Sequence, residues 1–117
     1  MTKNVTPKMT LQLYTDVKCF GPGVAQLLVG IRKLHSLRAA AAEINMAYSK
    51  AWSIIKNCEN EFGFKLLKTV TGGKNGGGAD LTDDAERLLN DYFYVRDELK
   101  LKAQQLFDER LSWICDK

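Results

Sequence analysis

Between residues 48 and 62, polar side chains recur at a spacing that could grip a polyanion. At about 100° per residue, Ser49, Ser53, Lys56 and Asn60 share one side of a helix, with Lys50 and Asn57 flanking them. Ala51, Ile55, Cys58 and Phe62 take the opposite side. The polar side carries no carboxylate, whereas a solvated helix face ordinarily mixes both signs of charge. Hydroxyl, amide and ammonium groups match the hydrogen-bonding edges of bases and the oxygens of phosphates. Tyr48, Ser49, Lys50 and Ser53 are the candidates for base edges and nearby phosphates; Lys56 and Asn57, further along, are candidates for the backbone. Taken alone, the segment also reads as an ordinary polar surface helix. Downstream, Thr71-Gly72-Gly73-Lys74-Asn75-Gly76-Gly77-Gly78-Ala79 sets one lysine among glycines. Thr71, Gly72, Gly73, Lys74 and Gly76 could lie along phosphates through Lys74 and bare N–H groups; a flexible solubilising turn is the alternative.

The flanking elements must position these residues. Leu11, Leu13, Val17 and Cys19 alternate with Gln12, Tyr14, Asp16 and Lys18, which predicts a half-buried strand over 11–20. Gly21-Pro22 ends it, and Pro22 suits the first turn of a helix over 22–34, whose inner stripe is Val24, Leu27, Leu28, Ile31 and Leu34. Ser36 is the N-cap of a second helix over 36–44, whose alanines allow close approach of a neighbour. Asn45 stands at the turn, since asparagine tolerates left-handed backbone. The polar helix over 48–62 stops at Gly63, and a glycine-rich hairpin spans 66–81. Trp52 is expected to pack between the polar helix and the hairpin or the first helix. Two helices joined by a turn, then a basic hairpin, are the parts of a winged helix-turn-helix: mainly α with a small β wing, and a long C-terminal helix.

That last helix is read over 83–114, capped by Thr82 with Asp83, Asp84 and Glu86 in its first turn. Leu88, Tyr92, Val95 and Leu99 fall at 4-3-4 spacing; Lys102 interrupts the seam and Leu106 resumes it. Leu89 and Phe93 form a second stripe toward the domain core. So small a domain cannot cover both stripes, and no Gly or Pro after Ala79 turns the helix back on itself. A homodimer through Leu88, Tyr92, Val95, Leu99 and Leu106 is the expectation.

Other chemistry finds little support. The 117 residues suit one domain, with 45% apolar and 26% charged residues. No apolar run approaches the ~20 residues needed to span a bilayer. The first seven residues lack the apolar stretch of a signal peptide, so the expected location is cytoplasmic. Cys19, Cys58 and Cys115 are far apart and His35 is the only histidine, so neither a metal nor another cofactor is expected. Lys74 is followed by Asn75 rather than Ser or Thr, which departs from a phosphate-binding P-loop. With no Ser-His-Asp arrangement, an enzyme is not expected. Residues 1–81 hold eleven Lys/Arg against five Asp/Glu, and residues 82–117 six against nine. A basic front and an acidic back suit a protein that turns one face to double-stranded DNA.

Phe20-Gly21-Pro22-Gly23, Tyr48-Ser49-Lys50-Ala51-Trp52, Thr71-Gly72-Gly73-Lys74, Gly76-Gly77-Gly78-Ala79 and Leu81-Thr82 carry a resemblance over nearly the whole chain. The sequence resembles the N-terminal DNA-binding domain of the molybdate-dependent transcriptional regulators, the ModE family, and is more distantly similar to LysR-type regulators. The resemblance implies a winged-helix fold, a dimer built through the helix after the wing, and a palindromic operator. Full-length members carry C-terminal molybdate-binding domains; this sequence contains neither, so molybdate or tungstate binding is not expected of it. Asn45 stands where the family has a glycine. The leading expectation is a sequence-specific DNA-binding regulator; the alternative is a protein-interaction scaffold built on a winged helix and a long helix.

Overall fold

The computed structural model describes residues 3–70 and 78–117. Two antiparallel hairpins frame a three-helix core, and a long helix leaves it. The elements are β1 (Leu13–Tyr14), β2 (Lys18–Phe20), α1 (Pro22–Leu34), α2 (Leu37–Glu43), α3 (Tyr48–Phe62), β3 (Leu67–Val70), β4 (Gly78–Leu81) and α4 (Asp83–Arg110), followed by a 3-10 turn over Ser112–Asp116. This is a winged helix-turn-helix with a long C-terminal helix.

The stretch 11–20 is a hairpin rather than one strand. The Thr15 N–H donates to the Val17 carbonyl at 3.0 Å, and β1 pairs antiparallel with β2. The turn costs little because Thr15, Asp16 and Val17 remain in solvent, so the alternation that reads as one strand is interrupted where nothing has to be buried. α4 stops at Arg110, short of 114; the Leu111 N–H closes on the Phe107 carbonyl and the chain tightens into the 3-10 turn. Such tightening satisfies carbonyls left open at a helix end.

The core gathers Phe20, Leu27, Leu28, Ile31, Ile55, Cys58, Leu66 and Leu89, all essentially inaccessible to solvent. Phe20 meets Tyr92 edge to face, with centroids 4.9 Å apart. At Gly30 α1 comes so close to α2 that a Cβ there would lie 2.8 Å from the Ala40 Cβ. Gly30 and Ala40 together therefore set the crossing of the first two helices. β3 and β4 pair in register from Leu67↔Leu81 to Val70↔Gly78.

The Cα radius of gyration is 18.1 Å, against about 13 Å for a compact domain of this length. The excess is α4, whose 28 residues run about 42 Å. The segment before β1 lies antiparallel along it: the Lys3 N–H donates to the Cys115 carbonyl and the Tyr92 hydroxyl to the Leu11 carbonyl, each at 2.8 Å. Phe107, far down the helix, is buried.

Candidate nucleic-acid interface

α3 is set against α2 by a short, fully bonded turn. The Ser36 hydroxyl caps α2 by accepting from the Ala39 N–H at 3.1 Å. At the other end Asn45 adopts φ 56°, the Met46 N–H reaches the Ala41 carbonyl at 2.9 Å and the Asn45 N–H the Ala42 carbonyl at 3.1 Å. This pair of bonds is a Schellman closure, which requires a left-handed residue where Asn45 stands. Ala51, Ile55 and Cys58 then anchor α3 to the core. Burial pushes the Cys58 thiol up to about 12, with Cys19 and Glu59 adding to the effect. It is a packing group at neutral pH.

The opposite side of α3 is open. Ser49, Lys50, Ser53, Asn57 and Asn60 are exposed and Lys56 is half-buried. The N-terminus of α3 has no side-chain cap at Ala47 and no acidic residue in its first turn, so its N–H groups add to the positive potential of Lys50. Tyr48 is 39% exposed, and the Arg38 guanidinium lies 4.1 Å from its ring centroid. Arg38 belongs to α2 and was not among the sequence candidates; no spacing rule links it to α3. A cleft of about 310 Å³, lined in part by Lys18, Ser53 and Asn57, opens beside this face.

Trp52 is placed differently from the sequence reading, and Asn57 and Lys56 have partners within the chain. Trp52 does not pack inward: 48% of it is exposed, and the Lys56 ammonium sits 5.6 Å from its ring. Ala51 and Ile55 already fill the adjoining core, which leaves the indole on the flank of the helix. Asn57 donates its side-chain N–H to the Lys18 carbonyl at 3.3 Å, tying α3 to β2. Lys56 donates to the Glu59 carboxylate at 3.2 Å.

Glu59 is the polar group that helical phase did not single out. It is 5% exposed and sits where α3 meets the start of the second hairpin. Its carboxylate accepts from the Leu66 N–H at 2.7 Å and the Leu67 N–H at 3.3 Å, and the Lys65 ammonium lies 3.9 Å away. Burial opposes its ionisation, but those N–H groups and the Lys56 ammonium outweigh burial and hold its carboxyl below the usual range. The base of the wing is thus clamped to α3 by one buried charge. Opposite, the Thr82 hydroxyl donates to the Lys65 carbonyl at 2.6 Å while capping α4 through the Ala85 N–H at 3.1 Å. The His35 carbonyl, at the left-handed end of α1, accepts from the Ala79 N–H at 3.0 Å, and the His35 ring contacts Asp80. The candidates Thr71, Gly72, Gly73, Lys74 and Gly76 lie outside the described residues.

On α4 the five seam residues divide. Tyr92 is 4% exposed and belongs to the chain's own core, its ring on Phe20 and its hydroxyl on the Leu11 carbonyl; it is not free to face a second copy. Leu88 packs at the edge of the same core. Val95, Leu99 and Leu106 are exposed, and Tyr94, Leu101, Leu111 and Trp113 add further apolar surface. The heptad pattern is blind to the hairpin that covers the first turns of α4, so it runs on through residues the chain buries against itself. No described helix is long and apolar enough to cross a membrane, and no group of metal-binding side chains occurs among the described residues.

Comparison with known proteins agrees with this architecture. Residues 25–86 match the bacterial regulatory helix-turn-helix proteins of the lysR family. The chain is 36% identical to the transcriptional regulator ModE of Haemophilus influenzae over 88 residues, covering 75% of this chain and 32% of that protein. It is 32% identical to the DNA-binding transcriptional dual regulator ModE of Escherichia coli K12 over 104 residues, covering 89% of this chain and 36% of that protein. The molybdenum-pterin-binding protein MopB of Rhodobacter capsulatus is 36% identical over 66 residues, 56% of this chain and 24% of that protein. The chain spans about a third of the length of the ModE relatives it matches. The match over the helix-turn-helix, together with the observed fold, establishes that the chain belongs to the bacterial regulatory helix-turn-helix proteins of the lysR family.

Proposed function

We propose that this chain is a dimeric, sequence-specific DNA-binding transcriptional regulator of ModE type. The observation that carries the reading is the outer face of α3: Ser49, Lys50, Ser53 and Asn60 are exposed, and no part of the described chain covers them. α3 enters the major groove with Tyr48, Ser49, Lys50 and Ser53 toward base edges and nearby phosphates. Thr71, Gly72, Gly73, Lys74 and Gly76 of the wing lie along the backbone, supported by the sequence chemistry of a lysine among glycines. Asn57 ties α3 to β2 and Lys56 pairs with Glu59 within α3, and both touch phosphate only at the edge of the site. Dimerisation uses the exposed part of the seam, Val95, Leu99 and Leu106, rather than Tyr92. An isologous dimer presents two recognition helices to a palindromic site, about 34 Å apart or a multiple of it. The ModE and MopB relatives are similar to this chain over only part of their length, and oxyanion sensing is not proposed for it.

Retention on random duplex DNA at two salt concentrations tests the reading. A DNA binder is held at low salt and released as salt rises, because phosphate contacts displace counterions. A chain that passes through unretained at both concentrations is instead an interaction scaffold, with the apolar face of α4 as its working surface.

A further inference from the structure

Arg38 is the unexpected group at the mouth of α3. It sits in the first turn of α2, where the positive end of a helix gives a cation no local advantage. Among the described residues it makes no ion pair, while its neighbours Arg32 and Lys33 at the end of α1 are held by Glu86 and Glu43 at 3.2 Å. Its one close partner is the Tyr48 ring, 4.1 Å from the guanidinium carbon. Stacking on an aromatic face occupies the flat side of a guanidinium and leaves its N–H edge free. Arg38 is exposed, as are Ser49 and Lys50 next to Tyr48 in the first turn of α3. A cation placed against local preference, held flat by a ring and left without a carboxylate fits an anion supplied from outside the chain.

We infer that Arg38, held by Tyr48, is a DNA-contacting residue that binds a backbone phosphate beside the bases met by α3. This rests on the proposed DNA-binding function and adds to it a contact from the first helix of the motif. In a helix-turn-helix that helix crosses the sugar-phosphate backbone, which is where a planar fork of donors meets phosphate oxygens. Tyr48 then acts through its ring, as a positioning residue for the guanidinium. Because the ring fixes the guanidinium before DNA arrives, less side-chain freedom is lost on binding.

The test is equilibrium binding of the full chain to a fluorescent duplex across a salt series, for wild type, Arg38→Ala, Arg38→Lys, Tyr48→Leu and the double variant Arg38→Ala/Tyr48→Leu. Arg38→Ala is expected to weaken binding to all duplexes alike and to lower the slope of log K against log salt by about 0.9. Arg38→Lys should keep the slope and still bind several-fold more weakly. Tyr48→Leu should cost less affinity in the Arg38→Ala background than in wild type, because the part of its effect that runs through the guanidinium is then already lost. An unchanged slope and affinity in Arg38→Ala, with wild type binding, overturns the inference and leaves the proposed function standing. A changed base preference at one position in Arg38→Ala overturns the phosphate assignment in favour of a base edge. Fully additive losses overturn the role given to Tyr48. If wild type binds no duplex at any salt, the proposed function itself fails, and the inference with it.

Discussion

Replacing Glu59 tests how the wing is fastened to α3. The carboxylate is almost fully buried and accepts two backbone N–H groups, at 2.7 and 3.3 Å. A hydrogen bond to a charged group contributes about 1.5–3 kcal/mol, and a buried donor left without a partner costs about 1–3 kcal/mol. The Leu66 N–H is in the buried class and the Leu67 contact is long and partly open, so Glu59→Ala should lose about 3–4 kcal/mol. The pair with Lys56 adds little, because that side chain is 39% exposed. Glu59→Gln keeps an acceptor for Leu66 but sets an amide against the ammonium, and should lose about 1–2 kcal/mol. The sign of the pH dependence follows from the lowered carboxyl pKa: the stabilisation is fully present above the unfolded carboxylate pKa and is lost as pH falls through the lower folded one. Urea unfolding at fixed protein concentration, at pH 7 and at steps below pH 4.5, reads both effects. The gap between wild type and Glu59→Gln should close as the pH falls. A gap under about 0.5 kcal/mol at pH 7 (the scatter of ordinary surface substitutions), or one of constant size at every pH, would refute the clamp.

Other perturbations reach other parts of the account. Gly30→Val places branched atoms where even a Cβ would lie 2.8 Å from Ala40, and thermal or urea unfolding should show a loss of about 2 kcal/mol or more. Leu99→Asp sets a charge in the exposed seam and should convert dimer to monomer in sedimentation, with helix content retained; a monomeric wild type at the same concentration would remove the dimer from the account. Lys74→Ala should weaken binding to every duplex alike and flatten the salt dependence by about one unit of slope, measured by anisotropy titration.

The fold class was legible because its signals are local. Pro22 with no required N–H, Ser36 with its capping hydroxyl, Asn45 with its tolerance of φ 56° and Gly63 at φ 81° each speak through their own backbone chemistry. What stayed illegible depends on neighbours distant in sequence. The hairpin within 11–20 follows from solvent on one side of its turn, and alternation cannot distinguish that from a continuous strand. Tyr92 fits a heptad as well as Val95 does, and only the Leu11 carbonyl and the Phe20 ring decide that it turns inward. Glu59 reads as one more charged residue on a polar helix until the N–H groups of Leu66 and Leu67 are brought to it. Arg38 and Tyr48 are ten positions apart, and their stack is a product of the turn that Asn45 makes between α2 and α3. The amphipathic face of α3 was readable from phase alone; which of its side chains are already engaged by the chain itself was not.

Selection of bound sequences from a random duplex pool, run in parallel for wild type, Ser49→Ala and Lys50→Ala, tests the central claim most directly. Wild type should enrich a palindromic site, and each substitution should alter the preference at symmetric positions within it. No enrichment by wild type, or one identical profile from all three proteins, would contradict a reading role for α3.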